Sequence, residues 1–159
     1  MRLFALASFA LALSACVEGT RYENAITAAR ASGQPLVITR VATSQPNSAG
    51  GVDVSIDGIN TSNKTVKYLD YTLRAYNAVG DPVRGEIRRR NDASVRETGP
   101  IAPGGKTAPG VWSNMWYNYS ITCARISSVT VIFMDNSSRK FTGQSINDLL
   151  APGAYQRCN

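Results

Sequence analysis

The amino-acid sequence predicts a mainly β protein that folds as an antiparallel β-sandwich, with one short helix before the sandwich and another after it. From Pro35 onward, apolar and polar residues alternate with a period of two in seven or so short segments. Turn-forming residues separate these segments, and no helices alternate with them as they would around a parallel sheet. The chain therefore divides into residues 1–15, residues 16–34 and one β domain over residues 35–159, which is long enough to bury a core.

Two capping-box spacings predict the helices. Thr20 and Glu23 have the S/T-x-x-E spacing at the start of an alanine-rich stretch, which predicts a helix over residues 21–32. Residues 145–148 resemble a second capping box, and they predict a short helix over residues 146–151.

Period-two alternation places the strands between these helices. The predicted strands cover residues 36–42, 52–56, 65–77, 83–89, 110–118, 119–125, 126–134 and 139–142. The segment over 65–77 alternates most clearly. The segment over 83–89 is short and charged, which is typical of an edge strand. Residues 91–109 contain Gly-Pro and Pro-Gly-Gly and are predicted to form a loop.

The first sixteen residues resemble the signal sequence of a bacterial lipoprotein. Arg2 precedes an apolar run over residues 3–13 that is too short to span a membrane. Leu13-Ser14-Ala15-Cys16 resembles the lipobox, which implies cleavage of a signal peptide over residues 1–15 and acyl chains on Cys16 that anchor the protein in the cell envelope. Val17, in place of the aspartate that marks retention at the inner membrane, favours the outer membrane. An ordinary signal peptide with a chance cysteine is the alternative.

The remaining two cysteines form an even pair. With Cys16 acylated, Cys123 and Cys158 would lie in an oxidising compartment, which favours a disulfide between them. Closing a loop of about 36 residues would contribute about 3–4 kcal/mol. Two free thiols are the alternative. A metal site is not expected, because the chain has no histidine and two cysteines cannot fill a zinc site; no other cofactor is indicated.

Three stretches of the β domain are similar to FxLYD-type and related extracytoplasmic domains of bacteria. They are NTSNKTVKY (60–68), YNAVGD (76–81) and IAPG (101–104), and WYN (116–118), Cys123 and FMD (133–135) look like the distal half of such domains. The resemblance covers residues 52–142. It implies an immunoglobulin-like β-sandwich, and it implies no activity, because the shared residues are structural.

A cluster of arginines follows the predicted hairpin. In strand geometry Arg84, Arg88 and Arg90 share one face, with Glu86 between them. Three planar guanidinium groups on one face suit the binding of phosphate or carboxylate. The alternative is a solvated edge strand. The net charge of +6 does not indicate nucleic acid, because the expected compartment lies outside the cytoplasm.

Both tryptophans fall in one run, GVWSNMWYNYSITC over residues 110–123. This run is either a core strand or an exposed aromatic platform for a glycan or a protein. Trp116 is predicted to be buried, because sandwich cores commonly centre on a tryptophan, and Trp112 is predicted to be the exposed one. Neither face of the run is cleanly apolar, which predicts a bulge or a strand that changes sheets.

Catalysis is the least supported function. The absence of histidine excludes Ser-His-Asp and Cys-His arrangements. Asp53, Asp57 and Asp70 could form acidic pairs, but Asp53 and Asp57 lie on the polar face of an ordinary strand. We therefore expect a lipid-anchored, non-catalytic binding module of the bacterial cell envelope. Its expected partners are the membrane through Cys16 and an envelope protein or an anionic glycan or lipid. A structural accessory subunit of an envelope complex and an enzyme acting on the cell wall are the alternatives.

Overall fold

The computed structural model describes the backbone of residues 15–158 and the side chains of residues 22–158. The predicted signal peptide lies outside the described residues except for the backbone of its last residue, and the side chain of Cys16 also lies outside them. The elements are α1 (Ala15–Ala31), β1 (Leu36–Thr43), β2 (Gly51–Asn60), β3 (Val66–Tyr76), β4 (Asp92–Ile101), β5 (Gly110–Tyr117), β6 (Cys123–Phe133), β7 (Ser138–Thr142) and a 3₁₀ helix (Gly143–Leu149). In the described part of the chain, no helix is both long and apolar enough to cross a bilayer.

The seven strands form two antiparallel sheets that pack face to face. One sheet has the order β1-β2-β5 and the other has the order β4-β3-β6-β7. The predicted antiparallel β-sandwich with a short helix at each end is confirmed. Apolar residues at alternate positions of β3 (Leu69, Tyr71, Leu73 and Ala75) are all buried, as their spacing predicts. Burying one leucine of this kind contributes about 1.5–3 kcal/mol relative to leaving it exposed.

The helix α1 packs on the outer side of the β1 strand. Ala29 and Val37 are buried there together with Ala151, and Tyr22 and Ala25 pack against them. The predicted start of this helix is wrong, because α1 begins at Ala15 and continues through the expected cap. Alanine, glutamate and arginine in this stretch all favour a helix, so the capping-box spacing does not by itself mark a first turn.

The charged strand predicted over residues 83–89 is wrong. These residues form a turn, and the edge strand that pairs with β3 is instead β4, which lies within the predicted loop. Proline is tolerated in an edge strand, where its missing N–H faces away from the ladder. Because β4 is an edge strand, Gly99-Pro100 does not end it. Residues 102–109 do form a connection.

Three further predictions can be compared with the structure. The strands predicted over 119–125 and 126–134 are one strand, β6, preceded by a turn over 118–122. The second helix is a 3₁₀ helix that begins at Gly143, where the Thr142 N–H donates to Ser145 Oγ at 2.9 Å. The predicted disulfide is confirmed: Cys123 at the start of β6 is bonded to Cys158.

Candidate anion-binding site

The predicted arginine cluster lies at one end of the sandwich, which we call the loop end. It is formed by the connections over residues 44–50, 77–91 and 118–122. A hydrogen bond of 2.8 Å from Thr43 Oγ1 to the Thr122 carbonyl joins the two sheets there. The Cys123–Cys158 disulfide lies at the same end, because Cys123 follows residues 118–122 directly.

The arginines occupy residues 83–91, which we call the arginine segment. The Glu86 N–H donates to the Tyr117 carbonyl at 2.8 Å, and Asn118 Nδ2 donates to the Arg84 carbonyl at 3.0 Å. Within the segment, the Gly85 N–H donates to the Arg90 carbonyl at 2.9 Å, which closes a turn. The backbone of the segment is therefore fixed against the end of β5.

Arg84, Arg88 and Arg90 do not share a strand face, because the segment turns where a strand was predicted. Arg89, between two of them, has a φ of 52°, and this left-handed conformation interrupts any extended run. All four arginines are exposed, as is Glu86. Among the described side chains, the three ion pairs are Arg40–Asp57, Lys64–Asp135 and Arg96–Asp70, and none includes an arginine of this segment.

Arg88 lies beside the aromatic run. A small cleft of about 120 Å³ separates the segment from β5, and it is lined by Gly85, Ile87, Arg88, Asn114, Met115, Trp116 and Tyr117. Trp116 is 3% exposed, as predicted, and its Nε1–H has no hydrogen-bond partner. A Cβ added to Gly85 would lie 3.4 Å from Trp116 Cδ1, the ring carbon bonded to Nε1. The Cδ1 edge of the Trp116 ring therefore packs against the arginine segment, and its Nε1 is shielded from solvent.

Trp112 does not belong to this cleft. Opposite β2, Trp112 pairs with Val54 and Trp116 pairs with Val52, so the predicted bulge is present between the two tryptophans. Trp112 is half-buried, and its ring meets the Tyr71 ring edge to face at 6.3 Å. Trp112 is therefore more exposed than Trp116, as predicted. It nevertheless packs on the core, so it does not form an exposed aromatic platform.

Three exposed apolar side chains at the loop end were not among the predicted site residues. Val79, Ile87 and Tyr119 are 81%, 68% and 64% exposed. Each of these side chains could have been recognised in the sequence as an apolar residue within a polar turn. Tyr119 is held in place, because its hydroxyl donates to the Ser48 carbonyl at 2.6 Å. The loop end therefore presents arginines together with apolar groups.

One buried carboxyl group lies in the interior, away from the loop end. Glu97 of β4 is 6% exposed and points into the sandwich. Burial raises the pKa of Glu97 to about 7; the Ala108 backbone N–H lowers it in part, and the charge of Asp57 raises it. Neither carboxyl oxygen has a hydrogen bond of ordinary geometry. Burial and the charge of Glu97 also raise the pKa of Tyr71.

The arrangement at the loop end suits binding of an anion. Guanidinium groups are hydrogen-bond donors, and they supply neither a nucleophile nor a general base at neutral pH. Among residues 22–158, no three His, Cys, Asp or Glu side chains come together in a group that could hold a metal ion.

Comparisons with known proteins add little to this geometry. No protein-family model matches the chain, and no curated protein sequence matches it significantly. Among solved structures, a hypothetical protein from Peptoclostridium difficile 630 has a TM-score of 0.40 and 11% sequence identity, covering 72% of this chain and 89% of that one. A likeness at this level indicates no activity.

Proposed function

We propose that this protein is a lipid-anchored, non-catalytic binding module of the bacterial cell envelope, and that the arginine segment binds an anionic partner. The observation that carries the proposal is a set of four exposed arginines on a backbone fixed to β5. The resemblance of residues 13–16 to a lipobox supports a lipid anchor at Cys16, and Val17 favours the outer membrane as its location.

The chemistry of the cleft favours a partner with a carboxylate or phosphate group. Arg88 can bind either group with two parallel hydrogen bonds. The Trp116 Nε1–H is buried without a partner, and leaving such a donor unpaired costs about 1–3 kcal/mol. This donor is shielded from solvent, so Arg88 is the group that the cleft offers to an anion. The cleft is too small for a whole ligand, so we expect it to take a single side chain or headgroup.

The test is capture of envelope components by the full-length chain in mild detergent. The variant Arg84→Gln/Arg88→Gln/Arg90→Gln should lose about tenfold or more of the captured partner while its thermal unfolding stays the same. The matched control, Arg74→Gln/Lys106→Gln/Lys140→Gln, removes three charges from exposed side chains outside the arginine segment and should keep capture. Equal capture by both triple variants would contradict the proposal.

The anchor is tested separately. Cys16→Ser should move the protein from the membrane fraction to the soluble fraction, because acyl chains would be its attachment to the bilayer. Retention of Cys16→Ser in the membrane fraction would show that the lipobox is not used.

The exposed apolar side chains favour a second candidate function, an accessory subunit docked on another envelope protein. Val79 and Ile87 would then contribute more to binding than the arginines do. Under this alternative, Val79→Ser/Ile87→Ser abolishes co-purification of a stoichiometric protein partner and the arginine variant keeps it.

A further inference from the structure

We propose that a second cleft, at the opposite end of the sandwich, binds a ligand through its phosphate group. This helix-end cleft has a volume of about 580 Å³, within the range of small-molecule sites. Residues that line it include Arg30, Gln34, Lys64, Phe133, Ser138 and Arg139. Phe133 ends β6 and Cys123 begins it, so the cleft lies about 35 Å from the loop end along an extended strand. This proposal does not depend on the arginine segment.

Three cations reach the cleft from three separate elements. Arg30 lies in the last turn of α1, Lys64 lies between β2 and β3, and Arg139 belongs to β7. These residues are far apart in the sequence, and only the fold brings them to one cavity. Positive groups around one cavity repel each other, and Asp135 is the carboxylate that pairs with one of them. An anion between the cations would relieve this repulsion.

Two of the cations are already held in place. Arg139 Nη1 donates to the Gly33 carbonyl at 2.5 Å, and its guanidinium has further N–H groups that can face a ligand. Lys64 Nζ lies 2.7 Å from Asp135 Oδ2 and 5.5 Å from the centre of the Phe133 ring. Lys64 and Ser137 hold the pKa of Asp135 below its usual range, so the carboxylate keeps its charge and keeps Lys64 in position.

The rest of the lining determines the class of ligand. Ser62, Asn63, Ser137 and Ser138 add hydroxyl and amide groups to the cleft. One guanidinium is enough to bind a planar carboxylate, whereas two guanidinium groups and an ammonium group together can bind several of the tetrahedral oxygens of a phosphate. Phosphate groups occur on soluble sugars and on lipid headgroups. Both kinds of ligand carry hydroxyl groups that the serines could bind. The site is therefore assigned to a phosphate with hydroxyl groups around it.

The experiment titrates the full-length chain with three probes by calorimetry. The probes are glucose 1-phosphate, dihexanoyl phosphatidylglycerol below its micelle concentration, and glucose as the neutral control. We expect saturable binding of at least one phosphate probe and none of glucose. Binding of glucose 1-phosphate alone would identify a soluble source, and binding of the lipid would identify a headgroup source. No saturable binding of either phosphate probe would overturn the proposal.

Variants place the binding in this cleft. Arg30→Gln and Lys64→Gln should each weaken binding about tenfold, while Arg74→Gln, an exposed arginine outside the cleft, should leave binding unchanged. The triple variant of the arginine segment should also keep full binding of the probe, so failure of the proposed function and failure of this inference are distinguishable. Binding that is unchanged in both Arg30→Gln and Lys64→Gln would overturn the assignment, and unchanged thermal unfolding of these variants shows that a loss is not misfolding.

Discussion

Both ends of the sandwich are basic, but they hold their cations differently. At the loop end, four arginines lie on one continuous segment, and its backbone carries the contacts that fix it. At the helix end, Arg30, Lys64 and Arg139 come from three elements, and the side chains of Lys64 and Arg139 are themselves bound to neighbours. One end therefore has a fixed backbone with exposed side chains, and the other has cations positioned by the fold.

This difference bears on affinity and selectivity. Ordering a long exposed side chain on binding costs about 0.5–1.5 kcal/mol. Each arginine of the arginine segment would lose this conformational freedom when it binds a partner. The side chains of Lys64 and Arg139 are already ordered by their contacts, so they lose less on binding. We expect the loop end to accept varied anionic surfaces and the helix end to select a ligand by shape.

The largest expected effect concerns the disulfide, which is specific to the loop end. Cys123→Ser/Cys158→Ser should lower the free energy of unfolding by about 3–4 kcal/mol, because the cross-link restricts the unfolded chain over a separation of 35 residues. Urea denaturation measures the loss. The wild-type protein with its disulfide reduced is the control and should match the variant. If the loss is below about 1 kcal/mol, the disulfide does not stabilise the loop end.

The next effect tests the core that both ends share. The pKa of Glu97 is about 7 in the folded chain, above its unfolded value of about 4.3. The unfolded state therefore loses its proton first, and stability falls as pH rises from about 4.5 to 7. Glu97→Gln removes this charge and should raise the free energy of unfolding at pH 8 by about 3 kcal/mol, but at pH 5 by only about 1 kcal/mol.

Urea denaturation of the wild type and Glu97→Gln at pH 5 and pH 8 checks this sign. Asp53→Asn is the control, because Asp53 is a partly exposed carboxylate on the polar face of β2. The same pH dependence in both Glu97→Gln and the wild type would show that Glu97 does not carry it.

The elements that could be predicted from the sequence are those whose local pattern agrees with their place in the fold. In β3 the apolar alternation matches a strand with one buried face. This strand pairs with β4 from Val66 to Arg74 and with β6 from Val66 to Tyr76. Trp116 and the Cys123–Cys158 pair could be predicted for similar reasons. A sandwich core needs a large side chain, and the predicted acylation of Cys16 would leave two cysteines with one pairing.

The remaining features depend on tertiary context. The charged run over residues 83–89 alternates like a strand, but Gly85 and the left-handed Arg89 turn it back on itself. In β4 the Gly-Pro pair is a turn signal in the sequence, and only the edge position makes it acceptable. The helix-end cleft could not be predicted, because no local pattern connects Arg30 with Lys64 and Arg139.

A smaller effect compares how tightly the two tryptophans of β5 are packed. The ring of each tryptophan lies close to a glycine. A Cβ on Gly110 would lie 2.5 Å from Trp112 Cη2, whereas a Cβ on Gly85 would lie 3.4 Å from Trp116 Cδ1. Gly110→Ala should therefore cost about 1–3 kcal/mol through overpacking and should change tryptophan fluorescence. Gly85→Ala is the matched control and should leave stability and fluorescence close to the wild type. If the two variants behave alike, Trp112 is not packed as described.

The smallest effect compares how much a cation at each end contributes to the stability of the protein without a ligand. Arg139→Gln should lower the free energy of unfolding by about 0.5–1 kcal/mol, because Arg139 joins β7 to the Gly33 carbonyl and lies 5.1 Å from the centre of the Phe141 ring. Arg88→Gln should give no measurable change, since the backbone of its segment makes the contacts that hold it to β5. Urea denaturation midpoints of the two variants and the wild type, measured under the same conditions, test this difference. A loss in Arg88→Gln equal to that in Arg139→Gln would mean that the loop-end arginines also serve the fold, and that less of their charge is available to a partner.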